Sequence, residues 1–144
     1  MLNIQKLMSD EECYRAIREL RWNGNAQCPH CKSSGIKRNG HSSKDDPCQK
    51  YYCKGCEKYF DDLTGTVFAN HHQPLKVWVL CLYFMGLNLL NRQIAQELGL
   101  CESSALEMTT ILREGVEQKA PPISLSGVVE MDEVYIVALN LTHK

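Results

Sequence analysis

The chain has 144 residues, a formal net charge of −1 and a pI of about 6.5. That is room for one ordinary domain or two small ones, tight for a large enzyme core, and too balanced in charge to name a partner globally. The opening Met-Leu-Asn-Ile-Gln-Lys lacks the apolar stretch of a signal peptide, and the longest apolar run, the eleven residues Val77 to Leu87, is too short to span a bilayer.

A cytoplasmic location with no membrane partner follows as the expectation, and there the eight cysteines are reduced and free for metal binding or packing. Charge is uneven along the chain. Residues 32–58 hold seven Lys/Arg against three acids, whereas residues 89–119 run three basic to five acidic.

Ser9-Asp-Glu-Glu12 is a capping box and predicts a helix to about Arg21, with Cys13, Ile17 and Leu20 on one face. Asn23-Gly24-Asn25 ends that unit (residues 1–25). The next unit, residues 26–70, opens on Cys28-Pro-His-Cys31, which has two chemical meanings. Two thiols at this spacing can be a redox-active dithiol or half of a metal cage.

The second pair, Cys53-Lys-Gly-Cys56, follows after 21 residues and favours the cage. Four thiolates in two CxxC knuckles match a structural zinc site, whereas the dithiol needs one pair opening a helix. Cys28, Cys31, Cys53 and Cys56 are the expected ligands of a structural Zn²⁺. Gly55 is expected to supply a positive φ in the second knuckle. His30 is expected to face solvent, with His41 and Cys48 as weaker alternatives in a turn-rich excursion. Cys13, Cys81 and Cys101 read as small buried hydrophobes.

Short strands at Gly35–Asn39 and Gln49–Cys53 complete a zinc ribbon, in which the metal stands in for a large core. Lys50-Tyr-Tyr-Cys-Lys-Gly-Cys-Glu-Lys-Tyr-Phe60 interleaves bases and aromatics, as a nucleic-acid face can. Tyr52 and Phe60 are expected to pack the ribbon core. Lys37, Arg38, Lys50, Lys54 and Lys58 are candidate phosphate contacts, unless they form only a solvated basic face.

Residues 71–120 read as a helical unit. Pro74 sits at the favoured first position of a helix reaching about Leu87, apolar on nearly all sides and therefore a buried spine. Asn91 can cap a short helix with Ile94, Ala95 and Leu98 inward, and Gly99 permits a sharp turn. A second helix, 102–118, would point Ala105, Met108, Ile111 or Leu112, and Val116 inward.

Short helix, glycine turn and second helix make a helix-turn-helix-like pattern, or an αα-hairpin that only packs. Arg92, Ser103 and Ser104 are the DNA-contact candidates, with Thr109 and Thr110 also near base edges. Glu102, Glu107 and Glu114 oppose phosphate there. After Ala120-Pro-Pro122, the alternating Val128 to Ile136 predicts a strand with Asp132 in its middle, a residue type that strands disfavour.

Leu20-Arg-Trp22, the two knuckles, Thr64-Gly-Thr-Val-Phe68, Trp78, Gln93-Ile-Ala-Gln-Glu-Leu-Gly99 and Val129-Glu-Met-Asp-Glu-Val-Tyr-Ile136 occur in this order. The ordered set resembles the N-terminal part of bacterial insertion-sequence transposases with a zinc ribbon and an RNase H-like DD(E/N) catalytic domain. The resemblance covers about residues 9–136.

It implies a small α+β chain: N-terminal helix, zinc ribbon, helix-turn-helix-like domain, and, at 121–144, a linker with the first strand of an incomplete RNase H-like domain. It makes Asp132 the first catalytic Mg²⁺ ligand of a two-metal phosphoryl transfer. Three departures stand out: Val-Ala-Leu-Asn-Leu-Thr-His-Lys follows Ile136 where the family has glycines and bases, Cys101 replaces a Ser cap, and Leu106 replaces an aromatic.

The expected function is the DNA-binding part of a truncated transposase that recognises the inverted repeats of its own element. Such a chain would be catalytically incomplete, able to self-associate as a homo-oligomer, and association-prone beyond residue 126 through unpaired strand edges. A ribbon/helix-turn-helix transcriptional regulator and a protein-binding adaptor are the alternatives.

Overall fold

The computed structural model describes residues 8–120. Asp132 and the expected terminal strand lie outside the described residues. Within them run α1 (Asp10–Trp22), β1 (Ile36–Arg38), β2 (Lys50–Cys53), β3 (Tyr59–Asp61), α2 (Leu75–Gly86), α3 (Asn91–Leu98) and α4 (Glu102–Glu117). The result is a small α+β architecture with two cores.

The ribbon is an antiparallel sheet in the order β1-β2-β3, with Ile36 opposite Cys53, Lys37 opposite Tyr52 and Tyr52 opposite Tyr59. Its core is Cys28, Tyr51, Cys53 and Phe60, with Trp22 packed against it. Tyr51 stacks on Phe60 at 5.1 Å, and Trp22 meets Tyr51 edge-on at 5.2 Å. The expected core residue Tyr52 is therefore off by one position. Successive strand side chains alternate faces, and with Cys53 directed to the metal cage the inward aromatic is Tyr51, two residues earlier. Phe60 is buried as expected.

The second core joins α2, α3 and α4 through Val77, Trp78, Leu80, Cys81, Phe84, Ile94, Ala95, Leu98, Ala105, Met108 and Leu112. α2 is its spine and packs on α1, α3 and α4. It is less enclosed than its composition suggests, because Leu82 and Tyr83 remain exposed. Pro74 is the residue before the helix, not its first turn, and offers no side-chain cap. Asp10 of α1 fills that role: its Oδ1 accepts from Lys76 N at 3.0 Å.

α1 begins as its sequence dictates, with Ser9 Oγ accepting from Glu12 N at 3.3 Å and an acidic first turn suited to the helix dipole. Asn23 ends it in the left-handed conformation at φ 43°. Cys13 is buried, but Leu20 is 88 % exposed, contrary to the expected inward face. The helix buries Cys13 and half-buries Trp22 instead, because its two ends serve different partners.

α3 and α4 are joined through Gly99 at φ 61°, with Ile94, Ala95 and Leu98 inward as expected. Asn91 is not the cap. The Gln93 side chain accepts from Leu90 N at 2.9 Å, while Asn91 Oδ1 accepts from Thr109 Oγ1 at 3.1 Å. Thr109 is thus a fully buried tie between the two helices, and is unavailable to bases. Val116 is exposed, because the core ends one turn earlier at Leu112.

Candidate metal centre and its surroundings

Two backbone knuckles bring four sulfurs together. In the first, Lys32 N donates to Cys28 O at 2.9 Å and Cys28 N to Ser33 O at 3.0 Å; in the second, Cys53 N donates to Lys58 O at 3.0 Å. The residue after each second cysteine takes the left-handed turn: Lys32 at φ 62° and Glu57 at φ 57°. Gly55 does not, so the expected reason for that glycine is corrected. A Cβ there would lie 3.1 Å from Ser33 Oγ and 3.2 Å from Ser33 Cβ, and 3.7 Å from Cys31 Sγ. Gly55 instead lets the two knuckles approach closely, since a Cβ there would press on the Ser33 side chain.

The Sγ atoms of Cys28, Cys31, Cys53 and Cys56 all lie within 4.8 Å of one another. Cys28 and Cys56 are 3.6 Å apart, and Cys31 and Cys53 are 3.5 Å apart. A tetrahedral ion with metal–sulfur bonds of about 2.3 Å spaces its sulfurs by about 3.8 Å. The four expected ligands therefore form a cage of the right size for a soft, tetrahedral cation.

Backbone N–H groups of Cys56 and Gly55 pull the Cys53 thiol down to about 6. Burial pushes Cys56 up to about 12, and the neighbouring sulfurs of Cys31, Cys28 and Cys53 add to that rise. Four crowded thiols resist shedding their protons together, and a bound cation reverses that balance.

The weaker candidates are elsewhere. His30 is exposed, and the ring of His41 meets Cys48 O at 3.0 Å. Cys48 lies outside the cage; burial, then Asp61 and Asp62, push its thiol up to about 11. Cys13 and Cys81 are buried, but Cys101 is exposed at the start of α4. Its Sγ meets Ser103 Oγ at 3.2 Å and Ser104 Oγ at 3.0 Å. Those hydroxyls, Ser103 first, bring the thiol down to about 7.

A buried carboxylate absent from the sequence expectations anchors the ribbon to α1. Asp62 is completely buried. Its Oδ2 accepts from Arg18 Nε at 2.9 Å and from Gln49 N at 2.7 Å, and its Oδ1 from Tyr51 Oη at 3.0 Å. Arg21 donates to Asp62 O at 2.7 Å and also to Thr64 O. Strand alternation was the available signal: with Phe60 inward, Asp62 is inward too.

The DNA-contact candidates fall on separate surfaces. Lys37 and Lys50 lie on the sheet face opposite the aromatic core, and Lys54 stands in the turn just past β2. Arg38 lies on the Tyr51 side, and Lys58 follows the second knuckle; all five side chains are exposed. Arg92 pairs with Glu102 at 3.6 Å, and the Ser103 and Ser104 hydroxyls are engaged by Cys101. The exposed side of α4 carries Glu102, Glu107, Glu114 and Glu117. No described helix is long and apolar enough to cross a membrane.

Residues 8–59 match the family described as "Transposase zinc-ribbon domain", of the IS1595 type. The chain carries a transposase zinc ribbon. It is also 30 % identical over 139 residues to an "Uncharacterized protein in transposable element ISH50" of Halobacterium salinarum, covering 96 % of this chain and 46 % of that protein. The chain thus spans about half the length of the curated relative it matches. No solved structure matches.

The transposase ribbon includes α1, and the packing gives the physical reason: Trp22 completes the ribbon core, and Arg18 and Arg21 bind Asp62. The Thr64 to Phe68 stretch follows on as a seam. Thr64 O receives Arg21, Val67 meets Gly115 of α4, and Phe68 packs on Trp78 at 6.3 Å.

Proposed function

We propose that this chain is the DNA-binding N-terminal portion of an insertion-sequence transposase, folded around one structural Zn²⁺ and recognising the inverted repeats that end its own element. The observation that carries the proposal is the coincidence of the transposase-ribbon match with a four-sulfur cage of tetrahedral size. Zinc is the assigned ion because it prefers four thiolates in closed tetrahedral sites and needs no redox partner.

The ribbon, with Lys37, Arg38, Lys50, Lys54 and Lys58, supplies the phosphate contacts. Arg92, Ser103 and Ser104 contribute less, because each is already engaged and the adjoining α4 surface is acidic. That acidic surface favours a protein-facing role for α4 in place of groove insertion. In the full reaction Asp132 would hold one Mg²⁺, but two-metal strand transfer needs further ligands. Recognition is therefore the activity to test first.

The test is fluorescence anisotropy with a duplex carrying the terminal repeat, against a scrambled duplex, across a salt series. Lys37, Lys50 and Lys54, taken as the contacts made at one time, give a slope of log affinity on log salt of roughly −3. Lys50→Gln and Lys37→Gln should each make it shallower by about one. Failure to bind any duplex at low salt would overturn the proposal and leave the adaptor reading in its place.

A further inference from the structure

The outer face of the ribbon sheet has a composition that duplex phosphate contacts do not explain. Lys37, Tyr52 and Tyr59 form one row across β1, β2 and β3, and Lys50 shares their face on β2. Lys50 and Lys54 flank Tyr52 in sequence, two residues before and two after it, with Lys54 in the turn just past β2. Tyr59 is 67 % exposed, and its ring lies 5.0 Å from the Tyr52 ring at a tilt of 51°. No described helix packs on this sheet face.

The nearest acid on this face, Asp61, is turned to the chain itself. Its Oδ1 accepts from Leu63 N, Thr64 N and Thr64 Oγ1 at 3.0, 2.7 and 2.7 Å. Lys37, Lys50 and Lys54 set against Asp61 still leave a formal excess of two positive charges here.

We propose that this face binds single-stranded nucleic acid: Tyr59 is a stacking platform for an unpaired base, Tyr52 buttresses it, and Lys37, Lys50 and Lys54 hold the flanking phosphates. An aromatic ring on an open sheet reaches the π-face of a base only where the base is unpaired, because in a duplex neighbouring bases cover both faces. Stacking plus a basic track is the general solution for single strands. A cross-strand tyrosine pair serving only sheet stability would need neither the exposure of Tyr59 nor three lysines around it.

The inference rests on the transposase-DNA reading and adds to it a second, unpaired substrate at a defined surface. The test uses the zinc-loaded chain, with a labelled oligothymidine 12-mer and, separately, the terminal-repeat duplex. The expected result is single-strand binding that Tyr59→Ala weakens about tenfold or more, that Tyr59→Phe retains, and duplex binding that changes less than about twofold with either.

Removing the exposed ring leaves no cavity, and metal content with near-ultraviolet circular dichroism confirms that the variant is folded. Equal losses on both probes would make Tyr59 a structural residue and overturn the inference. Duplex binding without Tyr59-dependent single-strand binding would overturn it and leave the duplex reading standing. No binding of either probe at low salt would overturn both.

Discussion

At the scale of single residues, two side chains carry more than their sequence context suggests. Asp62 is one of two adjacent aspartates, a doublet that normally reads as a solvated turn. Asp61 fits that description, since it caps the turn to Thr64, while Asp62 is sealed under Tyr51 and Arg18. Truncating a buried, hydrogen-bonded ion leaves its partner unpaired and costs about 3 kcal/mol, the low end of the range because Arg18 is about one-third exposed. Asp62→Ala should therefore lower the melting temperature by several degrees and weaken the contact of Trp22 with Tyr51. An unchanged melting curve would remove Asp62 from the account.

Cys101 is the second such residue. Its thiol lies near 7 because Ser103 and Ser104 favour the thiolate. Its alkylation by iodoacetamide should rise through about pH 7, with the midpoint moving upward in Ser104→Ala. Buried Cys13 and Cys81 should react only on unfolding. The sequence placed Cys101 inside a helical pattern, where burial is the default for a thiol. The cap position of Cys101, just ahead of residue 102, was the available signal, since a cap residue stands outside the helix's inward face.

At the scale of elements, the seam between ribbon and helices depends on backbone proximity. A Cβ at Gly115 would come 2.1 Å from Val67 Cγ1, and a β-branched valine has little rotamer freedom with which to yield. Gly115→Ala should cost roughly 1–3 kcal/mol by denaturant melt through overpacking. Gly86→Ala at the end of α2 meets nothing within 4 Å and should be neutral or stabilising by up to about 1 kcal/mol. Equal effects would show that Val67 does not press on α4.

Most helices were legible in the sequence for physical reasons. Ser9, Asn23 and Gly99 are chemical punctuation, and Ile94, Ala95 and Leu98 keep helical period. The ribbon strands are only three or four residues long, too short for period alone to choose between Tyr51 and Tyr52. Strand parity counted from the ligand Cys53 would have chosen correctly.

At the scale of the whole molecule, two cores of different origin share α1. The helical core is a packed apolar cluster, whereas the ribbon has four buried residues beside a four-sulfur cage that the proposed structural ion fills. Chelation should therefore abolish the near-ultraviolet signal of Trp22, Tyr51 and Phe60 while sparing much of the helical far-ultraviolet signal. Simultaneous loss of both would show that the helices cannot stand without the ribbon. The cage was the most legible site in the sequence because CxxC spacing is set by local knuckle geometry. The division of the lysines between surfaces was not, since it depends on strand register and on where α1 lies.

The central claim is that a metal-closed transposase ribbon is what binds the element's ends. It is tested most directly by following anisotropy of the terminal-repeat duplex while zinc is removed by a chelator and then restored. The expected result is loss of specific affinity on chelation and its recovery at one equivalent of Zn²⁺ per chain. Affinity unchanged by removal of the metal would contradict the account.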